Sequence, residues 1–121
     1  MVIDKSLDIY TYLNKLFNID EITNLIENKK VLYKTFDDKA KVNTVSYFIL
    51  REKNGYSGDM SDIVRYTIQI DLYSNTNFTA LLKEIKKQMK ENDCKKVEIE
   101  DGFDKDFKYY KVLRYNVYLE E

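Results

Sequence analysis

Five carboxylates crowd into one stretch of the chain, Glu98, Glu100, Asp101, Asp104 and Asp106, and acid/base catalysis or capture of a hard cation is the chemistry such a group could do. Their spacing argues against both. A calcium loop needs acidic or amide ligands at alternate positions, then a glycine and a distant glutamate, and this run does not match it. Glu98 and Glu100 read instead as the wet face of a strand. Cys94 is the lone thiol, but the chain holds no histidine to deprotonate it, and neighbouring Asp93 disfavours the thiolate. Gly55, Gly58 and Gly102 form neither the dinucleotide spacing nor a phosphate loop ending in Lys-Ser/Thr. Tyr109, Tyr110, Tyr115 and Tyr118 could stack unpaired bases, yet the nearby Lys108, Lys111 and Arg114 are offset by the acidic loop; packing in the core and between subunits suits them better. No enzyme activity, cofactor or metal is expected.

Composition narrows the partners. Twenty basic and twenty-one acidic residues leave a net charge of −1, which disfavours a protein whose affinity comes from neutralising phosphates, so no specific nucleic acid is expected. At 121 residues, 44% hydrophobic and 34% charged, the expectation is one globular domain spanning 1–121. No apolar run approaches the roughly 20 residues that cross a bilayer, and MVIDKSLDIY lacks the features of a secretory signal, so a cytoplasmic protein without a membrane partner is expected. Eleven tyrosines supply amphipathic rings that suit interfaces as well as cores.

The elements that must position these residues are clearest from Val64 to Met89. Val64, Tyr66, Ile68, Ile70 and Leu72 alternate with Arg65, Thr67, Gln69 and Asp71, the pattern of a strand with one buried face. The other face is left to water or a partner. Past the polar turn 74–77, Phe78, Leu81, Leu82, Ile85 and Met89 form one helical stripe, with Asn77 as the expected cap and lysines opposite. Upstream, helices are expected from Ser6 to Phe17, capped by Ser6 or Asp4, and from Asp20 to Glu27, ended by Asn28. Strands are expected at Lys30 to Phe36, Asn43 to Arg51, Lys96 to Glu100 before an Asp101-Gly102 turn, and Tyr109 to Leu119. The long polar connection Glu52 to Asp62 is expected to be mobile, and to be functional as a hairpin loop of that length. This order predicts an α+β fold, a mainly antiparallel sheet of about five strands with two to three helices packed on one face.

The segments DIYTYLNKLF, TVSYFILRE, YTIQIDLYS, FTALLKEIKKQM and KYYKVLRYNVYL, in this order, resemble the tail terminator or tail completion family of long-tailed bacteriophages and prophage-derived tail particles. IQIDLYSNTNFTALLKEIKKQM carries most of the likeness, and the order of elements extends over nearly the whole chain. The resemblance implies a non-enzymatic subunit of a hexameric ring that caps the tail tube and joins it to a neck or head completion protein. It places the protein in the host cytoplasm during assembly and then in the virion or tail-like particle. In that setting Tyr56 and Asp59 of the long loop, with Arg65, Gln69, Asp71 and Arg114 on the strands, are the expected interface residues. A head-tail connector or neck adaptor, and a small regulatory protein-binding module, are the alternatives.

Overall fold

The structure, a computed structural model, describes residues 2–26, 31–33, 43–54, 63–74, 78–104 and 107–120. Helix α1, Ile9–Phe17, starts later than expected because Asp8, not Ser6 or Asp4, caps it. The Asp8 carboxylate accepts from the Thr11 amide at 3.0 Å and from the Thr11 hydroxyl at 2.7 Å. Asp4 is already committed, closing a turn in which it accepts from the Ser6 amide and hydroxyl at 2.9 and 2.8 Å. A side-chain cap contributes about 1 kcal/mol. From there Ile9, Tyr12, Leu13, Leu16 and Phe17 recur at helical spacing and are buried. Helix α2 is a single turn, Asp20–Thr23, shorter than expected; the proposed Asn28 cap lies outside the described residues.

The sheet has the order β1-β2-β3-β5-β4. Four strands form its antiparallel body: β2 (Asn43–Asn54), β3 (Ile63–Ser74), β4 (Lys95–Asp104) and β5 (Phe107–Glu120). The remaining expected strand is reduced to β1, Leu32–Tyr33, a two-residue parallel rung beside Ser46 and Tyr47. It is anchored by Asn18, whose side-chain oxygen accepts from the Val31 amide at 2.8 Å. The hairpin of β2 and β3 is longer than expected, continuing to Asn54 and resuming at Ile63. Residues 55–62 of the anticipated loop lie outside the described residues. Asp101-Gly102 is not a turn: β4 runs through both, with Gly102 opposite Tyr110 and the ladder irregular between Gly102 and Asp104. A glycine inside a strand commonly marks such an irregularity.

Helix α3, Thr79–Glu91, begins with no side-chain cap at Phe78, and Asn77 lies outside the described residues. It ends through Asp93, whose positive φ of 56° turns the chain toward β4. Asn92, buried, accepts from the Ile3 amide at 2.7 Å and donates to the Gln88 carbonyl at 2.9 Å, so it ties the segment before α1 to the end of α3. One apolar cluster joins the three elements of the helical layer to one sheet face. Tyr12, Leu16, Phe17, Ile22, Leu81, Ile85 and Met89 meet Val45, Tyr47, Ile68, Ile70, Leu72, Leu113, Tyr115 and Val117. The α+β class and the one-sided helical layer are therefore as expected.

Candidate functional site

Alternation along β3 aims Thr67, Gln69, Asp71 and Tyr73 away from the helices, and the ladder sets each opposite a residue of β5: Asn116, Arg114, Val112 and Tyr110. On the other side β2 contributes Thr44, Ser46 and Phe48 opposite Tyr73, Asp71 and Gln69, and Arg51 opposite Thr67. Directly opposed residues share a face, so these side chains meet in two chains of hydrogen bonds. Arg114 donates through Nε to Gln69 Oε1 at 2.9 Å, and Gln69 Nε2 donates to Asp71 Oδ1 at 2.9 Å. Arg51 Nε donates to Thr67 Oγ1 at 3.3 Å, and that hydroxyl donates to Asn116 Oδ1 at 2.7 Å. Tyr73 and Tyr110 stack beside them, with ring centroids 4.6 Å apart and planes within 6°.

This face is not the simple wet surface that alternation suggested. Thr44, Ser46, Thr67, Gln69, Asp71 and Tyr73 are all buried. Burial pushes the Asp71 carboxyl above the ordinary carboxylate range; hydrogen bonds from Gln69 and Tyr110 and the charge of Arg114 oppose that rise. Of the expected interface residues, Gln69, Asp71 and Arg114 are thus joined in one network. Arg65 stands near the end of the same face, opposite Tyr118 and Lys53. Tyr56 and Asp59 lie outside the described residues. Arg51, Thr67 and Asn116 were not singled out from sequence, because only the register shows that the three strands bring them together.

No protein-family model matches this chain, and no curated protein matches it. What the site can do follows from its own residues. Arg51 is exposed yet its guanidinium is oriented by Thr67, and Arg114 is held by Gln69. Such pre-oriented arginines lose less freedom on meeting a carboxylate or carbonyl than mobile ones do.

The thiol offers no alternative centre. Cys94 is buried, and burial pushes it up to about 11. The Tyr12 hydroxyl is buried against the Cys94 thiol; burial first and then this contact raise the hydroxyl's pKa, and the contact opposes the rise of the thiol's, but the hydroxyl makes no well-formed hydrogen bond among the described residues. Among the described residues no group of three His, Cys, Asp or Glu is placed to hold a metal ion. The side chains of Glu98, Glu100, Asp101 and Asp104, and all of Asp106, lie outside what the structure describes. No helix among the described residues is long and apolar enough to cross a membrane.

Proposed function

We propose that this chain is a non-enzymatic assembly protein of a long-tailed phage or prophage-derived tail particle, a terminator subunit whose ring caps the tail tube and joins it to the neck or head. The observation that supports this most is the sheet face turned away from the helices. A cross-strand hydrogen-bond network on paired strands gives positioned donors, acceptors and rings, the properties of a protein interface that recognises shape rather than one that turns over a substrate. The order of strand, strand, helix and strands behind the resemblance is compatible with the arrangement observed. In this reading the tube or neck protein meets Arg51 and Arg114, which the buried Thr67, Gln69 and Asp71 hold in place from beneath.

The test is to add the purified protein to assembling tail-tube subunits and measure tube lengths and end-binding by electron microscopy. Tubes capped at a defined length support the proposal. Unchanged lengths with bare ends overturn it, and binding to a portal or head-completion protein without the tube transfers the chain to the connector class.

A further inference from the structure

Two further surfaces carry opposite charge, one an apolar-floored cleft and the other bearing an exposed apolar side chain. The first is an open cleft of about 460 Å³ where β2, β3 and β5 meet the start of α1. Ile49, Tyr66 and Leu119 are among its apolar lining, while Asp8, Glu52 and Glu120 supply three carboxylates, and no lysine or arginine lines it among the described residues. Asp8 is held below the ordinary carboxylate range by its bond from the Thr11 amide, so it stays ionised. Glu52 and Glu120 are exposed. Leu50 and Ile63, adjoining the lining residues Ile49 and Val64 in sequence, are also exposed apolar side chains, 44% and 41% accessible.

The second surface lies where α3 hands over to the edge strand β4. Lys86, Lys90, Lys95 and Lys96 surround a hollow there. Among the described residues its one carboxylate, Asp93, is already paired with Lys5 at 3.7 Å. Next along β4 the ladder shifts register between Lys96 and Glu98, and the residue between them, Val97, is 45% exposed. A bulge re-aims a side chain, and here it offers an aliphatic knob beside two lysines.

We propose that Val97, with Lys95 and Lys96, docks into the cleft of a second copy of this chain, its lysines facing Glu52, Glu120 and Asp8. An apolar knob flanked by cations is the counterpart of an apolar floor flanked by carboxylates, and a chain of net charge −1 offers little overall repulsion to its own copy. The two patches differ, so the contact is head-to-tail and leaves one donor and one acceptor patch unused at each step. Repetition closes a ring if the rotation per step divides a full turn and runs on as an open filament if it does not; the proposed ring takes the first course. This inference gives the ring proposed above its contact surfaces, and rests on that reading only for the ring's biological setting.

The test uses two charge-inverted full-length chains, E52K/E120K and K95E/K96E, studied by sedimentation velocity alone and mixed. Wild-type chain is expected to self-associate in a salt-sensitive manner. Each variant alone should associate about 100-fold more weakly, because like charges then face each other across every contact. Mixed in equal amounts, they should recover assembly, since each inverted patch now complements the other chain. Val97→Asp, a single exposed substitution, should weaken association in the wild-type background.

Wild-type protein that stays monomeric at its highest soluble concentration overturns the inference. So do inverted variants that assemble alone as well as wild type, or a folded mixture that fails to recover. The two proposals fail separately. Tube capping that survives both charge inversions refutes this contact and spares the proposed function; swap-dependent assembly with uncapped tubes does the reverse.

Discussion

Replacing Asn92 with alanine tests the account of how the N-terminal segment is held. The side chain is 2% exposed, and its bonds include accepting from the Ile3 amide and donating to the Gln88 carbonyl. The Gln88 carbonyl keeps a second partner in Asn92→Ala, because the Asn92 amide also donates to it at 3.2 Å. The Ile3 amide loses its acceptor in a residue only 5% exposed. Stranding one buried amide costs about 1–3 kcal/mol and losing the second bond about 1 kcal/mol more, so a loss of about 2–4 kcal/mol is expected. With a urea slope of about 2 kcal/mol per molar, the midpoint should fall by roughly 1–2 M at an unchanged slope. Asn92→Asp keeps an acceptor for Ile3 but aims a carboxylate oxygen at the Gln88 carbonyl and buries a charge. It should be at least as damaging at neutral pH and recover in part as the acid protonates. Urea melts followed by circular dichroism, with hydrogen exchange at the Ile3 amide, decide the matter. A loss below about 0.5 kcal/mol for Asn92→Ala, within the range of an ordinary surface change, would refute the reasoning.

Tyr12→Phe removes a buried hydroxyl that has no hydrogen bond among the described residues, so stability should be unchanged or raised by up to about 1 kcal/mol; a clear loss in thermal melts would show a partner for the hydroxyl. Asp71 has its folded-state pKa raised, chiefly by burial, so the folded chain binds its proton more tightly than the unfolded one. Stability should therefore decline as pH rises from the unfolded value, about 3.9, through the folded value, and Asp71→Asn should flatten that part of the profile while sparing stability at pH 7. Cys94, at about 11, should react with iodoacetamide at pH 7 far more slowly than an ordinary thiol, and denaturant should restore the usual rate; fast alkylation of the folded chain would contradict its burial.

The parts of the fold legible in sequence are those where one periodicity dominates. The β3 alternation and the α3 stripe put Ile68, Ile70, Leu72, Leu81, Ile85 and Met89 into the core as expected. Boundaries were lost where two local partners compete. Asp4, Ser6 and Asp8 can all start a helix, and only the position of Thr11 decides for Asp8. At Asp101-Gly102 the turn signal yielded to the ladder with β5, a tertiary contact that no local pattern records. The candidate site was half legible for the same reason. Gln69, Asp71 and Arg114 stood out as polar residues on apolar strands, whereas Arg51 and Asn116 gain their meaning from standing on either side of Thr67. Burial of that face was invisible in sequence, since alternation distinguishes two faces without saying how deeply either is covered.

The strand order has a consequence for how the molecule is made. β3 sits between β2 and β5, and its second neighbour is the last strand in the chain, with α3 and the edge strand β4 synthesised in between. The β2–β3 hairpin can close locally while the chain emerges, but one flank of β3 stays bare until Phe107–Glu120 arrives. During that interval the exposed backbone of a long apolar strand is open to pairing with other chains, so truncation before Phe107 should yield aggregates rather than a smaller folded unit. Pulsed hydrogen exchange should find the β2–β3 amides protected ahead of those joining β3 to β5. The polar face, whose two networks both span β3 and β5, would then be the last part of the molecule to exist, complete only when the whole chain is.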